Sequence, residues 1–410
     1  MSKKKVIFTD RLMRPIAHFS HASRVGNLVH IGAVAGVFPD LRLAGDSVGR
    51  IDVSAQIDRM FENLATELEL MGARLSHVVR LKTYVAFPRE IGRYNEVYSR
   101  YFSRIKPAHT VIGSWDFPLP QAAIELDAVA IIDAGAQVLE SGELPVLPGC
   151  ATAGVLCGGF HYATALPVDV GGKTASQTGR GQTIASLGNL DKMLAAAGLG
   201  RRDVCSIHVT LADLRDLPLV ENEFRQFFGA SLPTWTVVGA PLERPDFRLT
   251  IESIAAAGGG QCLGSKAAPL VAGRAAPAVV AGDTLFLGGQ MGLAEGAAEP
   301  GDVERQTRIA WERLNSLIDA AGFTPESIVR TNNILTDWRD YAGFNAGYGA
   351  NMPEPYVPRA TVLGQLSDAR AKVQVECIAH RNGDEAAILQ VPPIMPRQDL
   401  GQMSTSERAS

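Results

Sequence analysis

QTRIAWERLNSLIDAAG, running from Gln306 to Gly322, is present twice more in altered form, as QIDRMFENLATELELMG over Gln56–Gly72 and as QTIASLGNLDKMLAAAG over Gln182–Gly198. Each stretch opens on Gln and closes on Gly at the same separation of 16 residues. Apolar residues recur three and four apart in all three, which predicts an amphipathic helix ended by a glycine. Downstream of each glycine comes an alternating run, VVRLKTYV (78–85), VCSIHVTL (204–211) and IVRTNNIL (328–335), with the period of two that strands show. A second helical pattern follows, headed by Asn95, Glu221 and Asn345, each 23 residues beyond its glycine. Chance does not hold such a register twice, so the chain reads as three copies of one unit.

Working outward, each unit opens with strand-like runs that include NLVHIGAVAG, FHYATALP or TLFLGGQMG. Each closes with a proline-marked turn and two further runs: KPAHTVIG with AAIELDAVAII, LPTWTVVG with FRLTIESIAAA, and VPRATVLG with AKVQVECIAH. Amphipathic helices at this spacing must bury their apolar stripes on a sheet, so the pattern predicts an α+β fold of three tandem domains, each a mixed sheet with two helices on one face. Expected bounds are 1–140, 147–257 and 268–382, with a polar tail over 383–410. The breaks fall in the Gly/Pro-rich stretches ELPVLPG (143–149) and AAAGGGQCLGSKAAPL (255–270).

With 410 residues, 46% hydrophobic and 20% charged, the chain is long enough for several cores and is neither disordered nor fibrous in composition. Lys and Arg total 39 against 43 Asp and Glu, a net charge of -4, which leaves no basic excess for a phosphate backbone; nucleic acid is not an expected partner. No apolar run long enough for a signal peptide or a membrane span appears, so a soluble, cytoplasmic protein without a membrane partner is expected. The five cysteines, Cys150, Cys157, Cys205, Cys262 and Cys377, form no Cys-x-x-Cys pair and read as reduced, mostly buried thiols. The eight histidines show no His-x-x-x-His pair joined to acids, so no metal is expected. GGKTASQTGRGQ in unit two lacks the Walker spacing and reads as a flexible loop.

At the closing strands the sequence resembles the reactive-intermediate deaminase (Rid, YjgF-like) family, small proteins that hydrolyse enamines and imines. That family's signature Pro-x-Arg-(Ser/Ala/Thr)-x-Val, followed by a strand like Ile-Glu-Ile-Glu-Ala-Ile-Ala, has its counterparts in VPRATV and VQVECIA in unit three, with PAHTV and IELDAVA in unit one and PTWTV and TIESIA in unit two. The resemblance implies three chorismate-mutase-like (YjgF-like) domains. Family members are usually homotrimers with a cleft between neighbouring subunits, so three linked copies imply an intramolecular pseudo-trimer, with further association of whole chains left open.

It also implies a chemistry, with a small-molecule carboxylate as substrate and no cofactor. Hydrolysing a 2-imino or 2-enamino acid needs a cation for the carboxylate, a positioned water and a group that moves protons. An arginine fork is suited to the carboxylate, and the family's arginine is kept only in unit three, as Arg359; in its place unit one has His109, a substrate contact that can be cationic near neutral pH but has no fork, and unit two has Trp235, which offers no charge. Carried over in the same way, Asn345 and Asn95 are ligand contacts (Glu221 in unit two), Gly288-Gly289-Gln290 is the ligand turn (Gly32-Ala33 in unit one, Ala163-Thr164 in unit two), Phe19 is an aromatic wall (Ala275 in unit three), and Thr361 holds the water. The family's proton-relaying Glu is Glu125 in unit one but Thr250 in unit two and Gln374 in unit three. The copy with the arginine therefore lacks the acid: either Gln374 orients the water, or a carboxylate from another unit reaches the cleft.

Plainer roles stand beside these. Arg359 is also read as a salt-bridging residue, Asn345 as a helix cap, Glu125 as a partner of Arg80, Thr361 as an ordinary strand residue, and Glu252 and Glu376 as structural acids. His30 and His161 sit at matching positions and point either to a cleft or into a core. The expected function is a hydrolytic deaminase that releases ammonia from an enamine or imine of a carboxylic acid, either 2-aminoacrylate-like or, as in aromatic degradation, 2-aminomuconate-like. The alternatives are a catalytically inactive ligand-binding or regulatory member, and a ring-opening amidohydrolase on a similar three-unit plan.

Overall fold

The computed structural model describes residues 3–390 except 48–49, 104–105, 133–134, 140–141, 146–151, 153, 230–232 and 294–300. Cys150 therefore lies outside the described residues, as does the expected tail from 391 onward. The repeated pattern folds as six long helices on three sheets: α1 (Val53–Leu70) and α2 (Ile91–Tyr101) in unit one, α3 (Gly179–Ala196) and α4 (Leu217–Phe228) in unit two, α5 (Val303–Ala320) and α6 (Tyr341–Asn351) in unit three. The first helix of each pair is capped by a side chain, Asp52, Thr178 or Asp302, that accepts from the backbone N–H three residues on. Each ends before the repeated glycine, whose φ of 77°, 71° or 70° at Gly72, Gly198 or Gly322 is the left-handed conformation that stops a helix.

The repeated Gln at the head of the pattern has a physical reason too. Gln56, Gln182 and Gln306 are buried, and each side-chain oxygen accepts from a backbone N–H at the foot of the last strand: Ala123 at 2.9 Å, Arg248 at 2.7 Å and Lys372 at 2.8 Å. Each side-chain nitrogen donates to a carbonyl two residues earlier, Gln121, Asp246 or Arg370. One residue thus fixes the helix to the strand in every unit and satisfies two backbone groups that burial would otherwise leave unpaired.

In unit three the strand order is Gln261–Leu263, Ala278–Ala281, Thr284–Met291, Val373–His380, Ile328–Leu335, Arg359–Leu363. Unit two repeats it with Gln137–Val138, Val155–Cys157, Phe160–Ala165, Leu249–Ala256, Val204–Leu211 and Thr234–Gly239. Unit one has Lys4–Phe8, Ala22–Val25, Leu28–Ala35, Ile124–Ile131, Val78–Val85 and Ala108–Gly113, and gains a seventh strand. That strand, Ala386–Gln390, begins in the stretch read from sequence as tail and lies parallel to Lys4–Phe8, so the end of unit three closes on unit one.

Each helix pair covers one face of its own sheet. The opposite faces turn toward one another, and Tyr84, Ile112, Val238, Leu242, Ile334 and Val362 form a core shared by all three units. Gly113 N–H donates to Pro241 O at 2.7 Å, and Gly239 and Gln365 exchange two bonds of 2.8 Å. The architecture is the expected pseudo-trimer.

Candidate active site

Arg359 begins the edge strand Arg359–Leu363 of unit three, which meets unit one, and is 3% exposed. One nitrogen of its fork, Nη2, donates to Asn345 Oδ1 at 2.6 Å and lies 3.4 Å from the Tyr341 hydroxyl. The other, Nη1, is buried with no hydrogen-bond partner. Aromatic rings wall the guanidinium: its central carbon is 4.6 Å from the Tyr348 ring centre, 5.2 Å from Phe344 and 5.8 Å from Phe19 of unit one. Half of the fork is held in place and the other half presents unmet donors. Thr361, two residues along, accepts from Asn333 Nδ2 at 3.2 Å, which leaves its own O–H to donate.

Unit one supplies the facing wall: Phe19, Ala33, Ala35, Pro118, Leu119 and Glu125 enclose, with Tyr341, Arg359 and Thr361, a cavity of about 40 Å³. A bulge between Ile31 and Val34 in strand Leu28–Ala35 aims this segment. Gly32 in the bulge lies so near the Arg359 backbone that an added Cβ would stand 3.1 Å from its nitrogen, so the close approach depends on glycine. Glu125 is buried, and no described cation pairs with it; burial alone pushes its carboxyl up to about 8. At neutral pH it carries a proton.

Glu125 of unit one thus lines the same cavity as Arg359 of unit three. The clefts are built head to tail, the closing strands of one unit against the opening strands of the next. Gly288, Gly289 and Gln290 do not face Arg359; they line the cleft opposite Trp235, together with Gln374. His109 does not face Glu125 either. It is buried within unit one, with Nε2 3.1 Å from Thr83 Oγ1 and 3.0 Å from the Tyr94 hydroxyl and its ring stacked on Tyr98 at 4.8 Å. Burial lowers it to about 3, against a smaller upward pull from Glu252 and with a slight further lowering by Arg80, so it is no cation. Asn95 sits on α2 in that same unit, away from Arg359.

Glu125 also has no bond to Arg80. Arg80 is drawn to the axis between the units, where it pairs with Asp127 and, at 3.0 Å, with Glu252. Arg330 reaches Asp127 at 2.6 Å, Lys82 reaches Glu252 at 3.3 Å, and the Thr236 hydroxyl of unit two donates to Glu376, which also accepts from Asn332 of its own unit at 2.6 Å. The second acids of the three closing strands thus join the units. His30 and His161 are buried and do not line the Arg359 cavity. Tyr341 was not anticipated. Its signal was available: it stands four residues before Asn345 on one helix, hence on the same face.

Among known proteins, three stretches of the chain, 9–132, 153–257 and 265–381, match the family described as Endoribonuclease L-PSP. A RutC family protein of Pyrococcus abyssi is 34% identical over 127 residues, 31% of this chain and 96% of the relative. A protein of Dermatophagoides farinae named 2-iminobutanoate/2-iminopropanoate deaminase is 28% identical over 133 residues, 32% of this chain and all of the relative. Among solved structures, a chorismatase aligns over 74% of this chain and 93% of its own with a TM-score of 0.52 at 12% identity, a likeness of fold alone. With three matches that together span most of its length, the chain belongs to the Endoribonuclease L-PSP family, the reactive-intermediate deaminase or YjgF-like proteins, as three tandem copies of the family unit.

Proposed function

We propose that the chain is a hydrolytic deaminase of a small enamine or imine bearing a carboxylate, with one working cleft between units three and one. The observation that carries this reading is the convergence of Arg359 and Glu125, from units that each lack the other's residue, on one cavity. The name of the mite relative and the family membership support the same reaction class. The substrate carboxylate takes the unmet Nη1 donors of Arg359 while Asn345 and Tyr341 hold the fork still. Protonated Glu125 gives its proton to the enamine carbon or to the imine nitrogen, which makes the iminium. The resulting carboxylate takes a proton from the water that attacks the iminium carbon, so Glu125 is restored and a carbinolamine forms; transfer of the carbinolamine's hydroxyl proton to its nitrogen then breaks the C–N bond and releases ammonia and the keto acid. Thr361 donates to the substrate or the water. The aromatic and aliphatic wall keeps bulk water out and strengthens both charges.

The inactive alternative drew on the missing acid of unit three, and Glu125 removes that support. The test is ammonia release from a 2-imino acid generated in place by an amino-acid oxidase. Activity in the wild-type chain that is lost in both Arg359→Ala and Glu125→Gln is the expected result. Equal rates with and without the protein would overturn the proposal.

A further inference from the structure

The cleft between units two and three keeps the same plan and has different chemistry. Ala275 stands where unit one has Phe19, Ser367 and Asp368 where it has Pro118 and Leu119, and Gln374 where it has Glu125. Loss of the large wall residues opens a cavity of about 860 Å³. Three features of it point to one class of ligand. Trp235, at the position of Arg359, is half-buried, held edge-on by Phe224 at 5.2 Å, and lines the cavity as a flat apolar wall. Gln374, 6% exposed, also lines it, and its side-chain oxygen is buried with no hydrogen-bond partner, so a planar carboxamide is left with an unmet acceptor. Among the described residues, four arginines border the space against two acids. Arg225 and Arg370 are matched by Glu221 at 3.9 Å and Asp368 at 2.7 Å, while Arg313 donates to the Met291 and Leu293 carbonyls and Arg274 is exposed with no acid among the described residues.

We propose that the cleft between units two and three is a second, non-hydrolytic ligand site for a planar ring compound with an amide-like edge and an anionic group, the ring on Trp235, the amide edge on Gln374 and the anion toward Arg274 and Arg313. Hydrolysis is not expected there, because neither an arginine in the Arg359 position nor a carboxyl in the Glu125 position is present. The inference is independent of what the first cleft does.

The probe is 4-carbamoylbenzoate, a flat ring with a carboxamide at one end and a carboxylate at the other, titrated calorimetrically into the full chain at millimolar concentration. Expected is one site whose affinity drops at least about tenfold, ~1.4 kcal/mol, in Ala275→Phe, which restores the wall of unit one and fills the open space, and in Trp235→Ala. The puckered analogue, trans-4-carbamoylcyclohexanecarboxylate, is expected to bind at least about tenfold more weakly because it cannot stack. Ammonia release, where the first cleft provides it, is expected to be unchanged in Ala275→Phe. No heat of binding, equal affinity for flat and puckered rings, or binding indifferent to Ala275→Phe would each overturn the proposal; Ala275→Phe keeps the test decisive if Trp235→Ala fails to fold.

Discussion

Two clefts of this molecule are lined from equivalent positions and have opposite contents. Between units three and one, a buried arginine faces a buried carboxyl across a cavity of about 40 Å³. Between units two and three, a tryptophan faces a carboxamide across about 860 Å³. In a homotrimer every change is made three times, so a residue lost from one cleft is lost from all. Fusion removes that constraint. Unit one lacks the arginine, unit three lacks the acid and unit two lacks both, yet one cleft still brings an arginine and a carboxyl together because the two come from different units.

The comparison breaks most visibly at Glu125. Glu125→Gln keeps the shape and removes the proton, so turnover is expected to fall by roughly 10²–10⁴ with little change in KM. Gln374→Ala, at the equivalent position, is expected to leave turnover alone. Because burial pushes Glu125 up to about 8, wild-type turnover is expected to decline as pH rises through about 8, and the variant's residual rate to lose that inflection. The same shift acts on stability. The folded pKa lies above the ordinary 4.5, so the contribution is fully present below pH 4.5 and disappears as pH rises through about 8; Glu125→Gln flattens this slope in urea titrations at several pH values. Arg359→Ala is expected to act on binding: losing a charge-assisted fork raises KM by at least about tenfold, and Arg359→Lys recovers only part because an ammonium has no second parallel donor.

A next, smaller effect concerns what holds the clefts in place. Asp127 is fully buried between Arg80 and Arg330 from two different units. Asp127→Ala leaves the buried Arg330 without an acid and Arg80 with Glu252 alone, and is expected to lower stability by about 3–5 kcal/mol, read as a shift in denaturation midpoint. Burial opposes the charge of Asp127, but Arg330 and Arg80 outweigh it and keep its carboxyl below the usual 3.8. Its contribution is therefore intact at neutral pH and is lost only as pH falls through that depressed value. Removing a charge of the second cleft's rim, as in Arg274→Ala, is expected to leave the midpoint within about 0.5 kcal/mol, since exposed charges contribute little.

Most of the fold was legible because its determinants are local and repeated: the buried Gln, the left-handed Gly, and the periods of helix and strand. The contents of the clefts were legible as residue types, since Arg359, Glu125, Phe19 and Thr361 stand out against their counterparts. Which of them meet was not. Arg359 and Glu125 are separated by more than half of the chain, and no local pattern states that the closing strand of unit three faces the opening strands of unit one and not its own. The sheet closure by Ala386–Gln390 was hidden for a similar reason: a short edge strand becomes ordered only because Lys4–Phe8 offers it a ladder. His109 misled differently, because a residue type gives no information about solvation.

That residue yields the last and smallest effect, one expected to be absent. An exposed imidazole gains charge near pH 6.5, so a carboxylate site at His109 would appear between pH 8 and pH 6. In the folded chain, burial lowers His109 to about 3, its Nε2 is occupied by Thr83 and Tyr94, and Tyr98 covers its ring. With that value only about one His109 in a thousand is protonated at pH 6. Titration with a small 2-oxo acid, too small to need the wide cleft, is expected to give one carboxylate site per chain at pH 8 and the same one at pH 6. A second site that emerges at pH 6 and disappears in His109→Ala would show that imidazole to be open to solvent, and the asymmetry between the clefts would then depend on pH and not on sequence alone.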